Sequence, residues 1–304
     1  MSTDNGSDLG RIGWVGAGRM GAPMAALLAR AGAEVSVWNR SKVCPPECAG
    51  LGITMADDLV GLGRRSRVLV TMVPDLPDVQ QVCDGPDGLL AEAAEGALLV
   101  VMGTVSPPRL QSWSSTVTDR GFRVVDAPVS GGVEGARAGT LSIMVGGEAE
   151  DVAELMPPFE VLGTTVRHLG PLGSGQVAKA CNQAIVGGTL ALLAEAVTLG
   201  ERSGLDTQGL IDVLSGGLAG SQALQDKGPR YVSGDYAPGA ESAYQHKDLG
   251  FALETAREAG VVVPVTALVD QLYGAMRSTG RGQLDHSAVI QLVQLLSGGD
   301  QGAG

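Results

Sequence analysis

Between residues 11 and 169, short runs of β-branched and other apolar residues alternate with stretches of helical periodicity. That pattern predicts a parallel sheet covered by helices. The predicted strands are 11–15, 34–38, 67–73, 97–102, 123–126, 141–145 and 165–169, and the predicted helices between them are 20–31, 56–61, 107–118 and 149–160. Unbroken apolar runs such as Leu98-Leu99-Val100-Val101 imply strands buried on both faces. After Gly170-Pro171-Leu172-Gly173 the pattern changes: 175–203 reads as one long helix broken only at Gly187-Gly188. Further helices follow from the Asp206 N-cap to 214 and at 245–259, 264–279 and 285–296. The expected organisation is an α/β domain over 1–170, a connecting helix over 171–203 and an all-helical domain over 204–304.

Composition narrows what such a chain can do. With 44% hydrophobic and 18% charged residues among 304, a sizeable core can form. The net charge of -12 argues against nucleic acid or an anionic membrane surface as partner, and the 3% of aromatic residues argues against a platform for stacking bases. The start Met1 to Asp8 is polar and acidic without the features of a signal peptide, so it is expected to be a frayed tail of a cytoplasmic protein. The end, Ser297 to Gly304, has the composition of a disordered tail. No apolar stretch is read as a membrane span. Cys44, Cys48, Cys83 and Cys181 are too scattered for a disulfide framework, and no metal site is expected.

The first candidate chemistry follows the first strand. Gly16-Ala17-Gly18-Arg19-Met20-Gly21 fits the G-x-G-x-x-G turn, in which one glycine makes the tight turn, one lets a pyrophosphate approach the backbone and one lets helix pack on strand. The helix it opens presents its positive end to phosphates. This points to a dinucleotide and to a Rossmann-type, doubly wound first domain. At the end of the second strand, where an acid would hold the ribose of NAD, the chain has Asn39-Arg40-Ser41-Lys42. A 2′-phosphate meets an arginine, a hydroxyl and a lysine there, so NADP(H) is expected over NAD(H).

Three other segments combine unusual residue types. Asp126-Ala127-Pro128-Val129-Ser130-Gly131-Gly132 sets a hydroxyl beside two glycines, whose backbone donors suit an anionic group. The long helix starts with Gly173-Ser174-Gly175-Gln176-Val177-Ala178-Lys179-Ala180-Cys181-Asn182-Gln183, where three-residue spacing puts Lys179 and Asn182 on one face. Lys247-Asp248-Leu249 opens a later helix. Each also has a structural reading as a turn, a solvated lysine or a charge pair at a helix start.

Taken in order, these four motifs resemble the β-hydroxyacid dehydrogenases, of which 3-hydroxyisobutyrate dehydrogenase is the best-known kind, over residues 10 to about 296. The resemblance implies hydride transfer between a nicotinamide and a small carboxylate substrate, a β-hydroxy acid or aldehyde acid. It implies Lys179 as the catalytic lysine with Asn182 as its partner, and Ser130, Gly131 and Gly132 as the clamp for the substrate carboxylate. Thr104 and Lys247 correspond to residues near the nicotinamide, and Met72-Val73-Pro74 to the loop lining adenosine and ribose. A homo-oligomer, a dimer or a multiple of it, is expected from the apolar long helix and from the family's habit of packing the helical domain on a partner subunit.

The chain departs from the family at several places. Val101 and Gly103 stand where many relatives have an Asp and a Ser before the threonine, so the polar side chains of those two positions are lost; Gln183 replaces a frequent asparagine; Gln222 stands where some relatives have Trp and Ala240 where they often have Phe. The three histidines, His168, His246 and His286, are expected in loops or on helix surfaces, with His246 placed to edge the site. Two alternatives stay open: an imine reductase on the same scaffold, against which Lys179 speaks, and a non-catalytic NADP(H) sensor, against which the joint presence of Ser130, Lys179 and Asn182 speaks.

Overall fold

A computed structural model describes residues 9–298; the two expected tails lie outside the described residues, apart from Ser297 and Gly298, which close the last helix. The elements run β1 (Arg11–Val15), α1 (Gly21–Arg30), β2 (Glu34–Trp38), β3 (Thr54–Met55), α2 (Leu59–Arg65), β4 (Val68–Thr71), α3 (Leu76–Cys83) and β5 (Leu98–Val101). They continue with α4 (Pro107–Thr118), β6 (Arg123–Asp126), β7 (Val129–Ser130), α5 (Gly132–Ala138), β8 (Leu141–Gly146), α6 (Ala149–Leu162) and β9 (Gly163–Gly170). Helices follow: α7 (Ser174–Arg202), α8 (Thr207–Gly216), α9 (Gln222–Ser233), α10 (Ser242–Glu258), α11 (Pro264–Ser278) and α12 (Val289–Leu296). The chain forms two compact units that divide inside α7, between Lys179 and Ala180.

The first unit is the expected Rossmann-type fold. Its strands lie in the order β3-β2-β1-β4-β5-β6-β8-β7, with β9 on β8. Pairing is parallel from β3 to β6, and β8 then runs antiparallel to both β6 and β7, so the sheet is mixed rather than wholly parallel. Strand β5 shows why both faces are apolar: Leu98 and Val100 enter the core beside Trp14 and Leu28, while Leu99 and Val101 enter the core beside Leu62 and Leu110 on the other face. The strand order reverses between β2-β1 and β4, and at such a switch point the carboxyl ends of the strands are where doubly wound sheets bind ligands.

Several elements differ from the sequence pattern. Helix α2 starts at Leu59, because the Asp58 side chain accepts the Gly61 N–H and caps it there. Helix α3 was not expected; Asp75 accepts the Leu76 N–H, and Pro77 sits in the first turn, where a missing N–H costs nothing. Helix α9, also unexpected, is capped by Ser221 and runs through Gly228-Pro229, a glycine that lets Ile211 of α8 approach. The short β3, β7 and α5 lack any strong local signal.

The second unit is all-helical, with Leu190, Ala194 and Val197 of α7 packed among Tyr231, Tyr273 and Val289. Helix α7 is not broken at Gly187-Gly188. A Cβ on Gly187 would come within 2.8 Å of the Gln245 amide, so the glycine serves the approach of α10 instead. Among the described residues α7 is the one helix long and apolar enough to cross a membrane, and half of its apolar window is buried inside the protein.

Candidate functional site

Because β1, β2, β4 and β5 are parallel and in register, the segments that leave their carboxyl ends share one edge of the sheet. Gly16 to Gly21 leave β1, Asn39 to Lys42 leave β2, Met72 to Pro74 leave β4 and Thr104 leaves β5. The topology therefore gathers every residue singled out in the first unit for the dinucleotide.

The glycine turn answers directly whether a dinucleotide fits. Gly16 holds φ +94°, and a Cβ there would strike the Met72 carbonyl oxygen; a Cβ on Gly21 would strike the Gly16 carbonyl. Those two glycines are explained by the protein's own packing. Gly18 is exposed, has no left-handed backbone, and a Cβ there would meet nothing within 4 Å. The open space over Gly18 leaves room for a ligand to approach the backbone, as the second glycine of a pyrophosphate turn does. Helix α1 above it has no side-chain cap and no acid in its first turn, so its amino end stays open to a phosphate. The residues present thus fit a dinucleotide.

At the end of β2 the chain turns through an Asn39 carbonyl that accepts the Lys42 N–H at 2.8 Å. Arg40, Ser41 and Lys42 are all exposed. Lys42 has φ +54°, the one left-handed non-glycine among the described residues. Neither Arg40 nor Lys42 has an ion-pair partner among the described residues.

Ser130 closes β7, and Gly131 and Gly132, at φ +136° and +64°, carry the chain into α5 with both glycines exposed. Asp126, at the start of the same motif, turns inward. It is fully buried at the end of β6, and its carboxylate accepts the Gly173 and Gln176 N–H groups at 2.7 Å each. Burial lifts this carboxyl to about 7, against the pull of those backbone hydrogen bonds. Asp126 thereby seats the amino end of α7. On that helix Lys179 is 8% exposed, and the Asn182 Oδ1, three residues further, is buried with no hydrogen-bond partner among the described residues. A buried acceptor without a partner is uncommon in a folded protein and calls for an explanation.

Lys247 stands in the second unit, on α10, 2.9 Å from the Asp248 carboxylate and over the Phe251 ring at 4.7 Å from its centroid. Gln183 donates to the other Asp248 oxygen at 2.7 Å. That hydrogen bond ties α7 to α10 within the second unit. His286 is not on the surface as expected; it is buried, with Nδ1 3.3 Å from Gln245 Oε1. His246 Nδ1 lies 2.8 Å from an Asp270 carboxylate oxygen on α11. Gln222 is exposed and donates to Asp226 one turn along its own helix. Cys48 is buried beneath the Ala22 carbonyl rather than being a loop thiol. Among the described residues no three His, Cys, Asp or Glu side chains cluster as a metal site.

Two residues escaped sequence reasoning: Asp126 as the seat of α7, and Gln176, whose amide reaches Gly103 and Val105. The available signals were an acid ending an apolar strand and a glutamine in the first turn of an apolar helix.

Residues 11–170 match the NAD binding domain of 6-phosphogluconate dehydrogenase, and residues 173–293 the family described as NAD-binding of NADP-dependent 3-hydroxyisobutyrate dehydrogenase. The chain belongs to the β-hydroxyacid dehydrogenase family. Within that family it is 36% identical over 287 residues to 2-hydroxy-3-oxopropionate reductase of Escherichia coli strain K12, covering 94% of this chain and 98% of that protein. A structure of Mycobacterium tuberculosis 3-hydroxyisobutyrate dehydrogenase with L-serine superposes with a TM-score of 0.81 at 30% identity, covering 93% of this chain and 99% of that one. An imine reductase from Myxococcus stipitatus, with NADP+, superposes over the same shares with a TM-score of 0.64 at 19% identity. That last likeness is one of fold alone.

Proposed function

We propose that this family member is an NADP(H)-preferring dehydrogenase or reductase of a small β-hydroxy acid or aldehyde acid, with Lys179 as its general acid/base. The observation that carries the reading is the buried Lys179 beside the orphaned Asn182 Oδ1, on a helix seated by Asp126. A bound nicotinamide supplies or accepts the hydride. Reduction of a carbonyl builds negative charge on its oxygen, and the Lys179 ammonium stabilises that charge and delivers the proton. In the direction of oxidation the neutral amine takes the proton from the alcohol. The Ser130 hydroxyl and the Gly131 and Gly132 N–H groups hold the substrate carboxylate, and Asn182 offers its acceptor to a substrate hydroxyl. Thr104 and Lys247 act beside the nicotinamide, and Met72, Val73 and Pro74 line the adenosine half.

The test is a panel of 2-hydroxy-3-oxopropionate, 3-hydroxyisobutyrate, L-serine and a cyclic imine, assayed with NADPH or NADP+. Lys179→Met keeps the side-chain length and should lower turnover of the best acid by roughly two to four orders of magnitude. NADPH binding, followed by fluorescence, should change little. Near-normal turnover by Lys179→Met sinks the assignment; turnover of the imine alone selects imine reduction; NADPH binding without turnover of any compound selects the sensor.

Preference for NADPH is supported by the exposed Arg40, Ser41 and Lys42 and the absence of an acid at Asn39. Arg40→Asp with Lys42→Ala should weaken NADPH by about tenfold or more while NADH changes little. Equal loss for both shows that the loop does not read the 2′-phosphate.

Cytoplasmic placement accords with four free thiols in the structure. Self-association is supported by Ile185, Leu192 and Leu199, exposed at a seven-residue spacing along α7. Light scattering at micromolar protein should give a dimer or a multiple; a particle of 30.9 kDa alone contradicts it.

A further inference from the structure

After β5 the chain passes through Met102, Gly103, Thr104, Val105 and Ser106 before α4 begins. Met102, Gly103, Val105 and Ser106 are buried, and Thr104 is the one residue of the five that reaches the surface. Its neighbours Val101 and Gly103 provide no side-chain anchor. The anchor comes from α7. Gln176 is 1% exposed; its Nε2 donates to the Gly103 carbonyl at 2.9 Å, and its Oε1 accepts the Val105 N–H at 3.0 Å. Both ends of one amide are used on the two sides of Thr104, a donor and acceptor pairing like that of an added strand.

The bracket is itself held. The Gln176 N–H donates to Asp126 Oδ2, so the residue is fixed at its backbone as well as at its side chain. On the far side, Gly103 lies so close to the Val73 carbonyl that a Cβ would strike it. The Thr104 segment is therefore pinned between the loop that leaves β4 and the helix that carries Lys179 three residues beyond Gln176.

We propose that Gln176 is a positioning residue that fixes the backbone on both sides of Thr104 and holds its hydroxyl in place for the nicotinamide half of the dinucleotide, in register with Lys179. The inference rests on the dinucleotide reading of this sheet edge. A purely structural glutamine would support the fold without acting through Thr104, and a double-mutant cycle on cofactor binding separates the two.

The experiment uses the full chain and titrates NADPH by fluorescence in wild type, Gln176→Leu, Thr104→Val and the double variant, with circular dichroism to establish the folded fraction. Each single change should weaken NADPH by roughly tenfold, about the value of one ordered hydrogen bond, and the double variant should be little weaker than either single one. Multiplied losses in the double variant, or a Gln176→Leu affinity within twofold of wild type, overturn the proposal. Where Gln176→Leu does not fold, Gln176→Asn enters the same cycle; it keeps the amide but is one methylene too short to span both partners, and the same outcomes decide. If the wild type binds neither NADPH nor NADH, the dinucleotide reading falls, and the inference with it.

Discussion

Among the described residues each unit buries one carboxylate completely, Asp126 in the first and Asp285 in the second, and the two are held in opposite ways. Asp126 is met by backbone N–H groups from Gly173 and Gln176, and burial lifts it to about 7. Asp285 is also penalised by burial, its largest single influence, but the charge of His286 and the Lys227 ammonium at 2.8 Å outweigh it. With further help from the Ser287 hydroxyl, Asp285 is held down at about 2. Peptide dipoles thus offset part of the cost of burying a carboxylate, whereas a full positive charge in contact reverses it. The positions match the difference. Asp285 is a permanent staple joining α9, through Lys227, to the Ala240 loop and the turn before α12. Asp126 sits where β6 meets the start of α7, beneath the helix that carries the candidate acid/base.

The comparison breaks most clearly at Asp285. Asp285→Asn leaves the Lys227 ammonium, 18% exposed at its side chain, without its counter-charge, and should cost about 3–5 kcal/mol in urea unfolding. Turnover per folded molecule should be unchanged; a loss below about 1 kcal/mol would mean that the staple contributes little. Asp126→Asn should cost less, about 1–3 kcal/mol, because its new NH2 group faces a backbone donor instead of accepting from it.

The smallest effect is also the sharpest, because the two sites predict opposite slopes with pH. Asp285 is depressed on folding, so its stabilisation is present above the unfolded carboxylate range and is lost as pH falls toward 2. Asp126 is raised on folding, so its contribution is complete below the unfolded value and is lost as pH rises through about 7. The stability gap between wild type and Asp285→Asn should therefore narrow on acidification, and the gap to Asp126→Asn should narrow as pH rises from 4 to 8. Gaps that move in the same direction would refute the contrast.

The two units also differ in how far they could be read beforehand. In the first, the glycine turn, the apolar strands and the basic loop after β2 depend on neighbours within a few residues, and the topology brought them to one edge as expected. Helix α3 was not among the predicted helices; its Pro77 lies in the first turn, where proline is tolerated. In the second unit Gly187 read as a break in α7 and proved to be the place where α10 comes close. His286 read as a surface residue because its burial depends on α10, forty-one positions away along the chain from its partner Gln245.

What the sequence alone determined is therefore local: a doubly wound first domain, a helical second one, a glycine turn at Gly16 to Gly21, and lysine and asparagine on one helix face. Periodicity and turn chemistry dictate these, since each needs only its own stretch of chain. Tertiary structure alone decided which polar groups are paired. The Gln176 amide meets Gly103 and Val105 across 73 and 71 positions, Asp126 meets Gln176 across 50, and Asn182 Oδ1 is left without a partner among the described residues. A buried polar group costs free energy until a partner from elsewhere in the fold reaches it, so its role is defined only once the whole chain has closed around it.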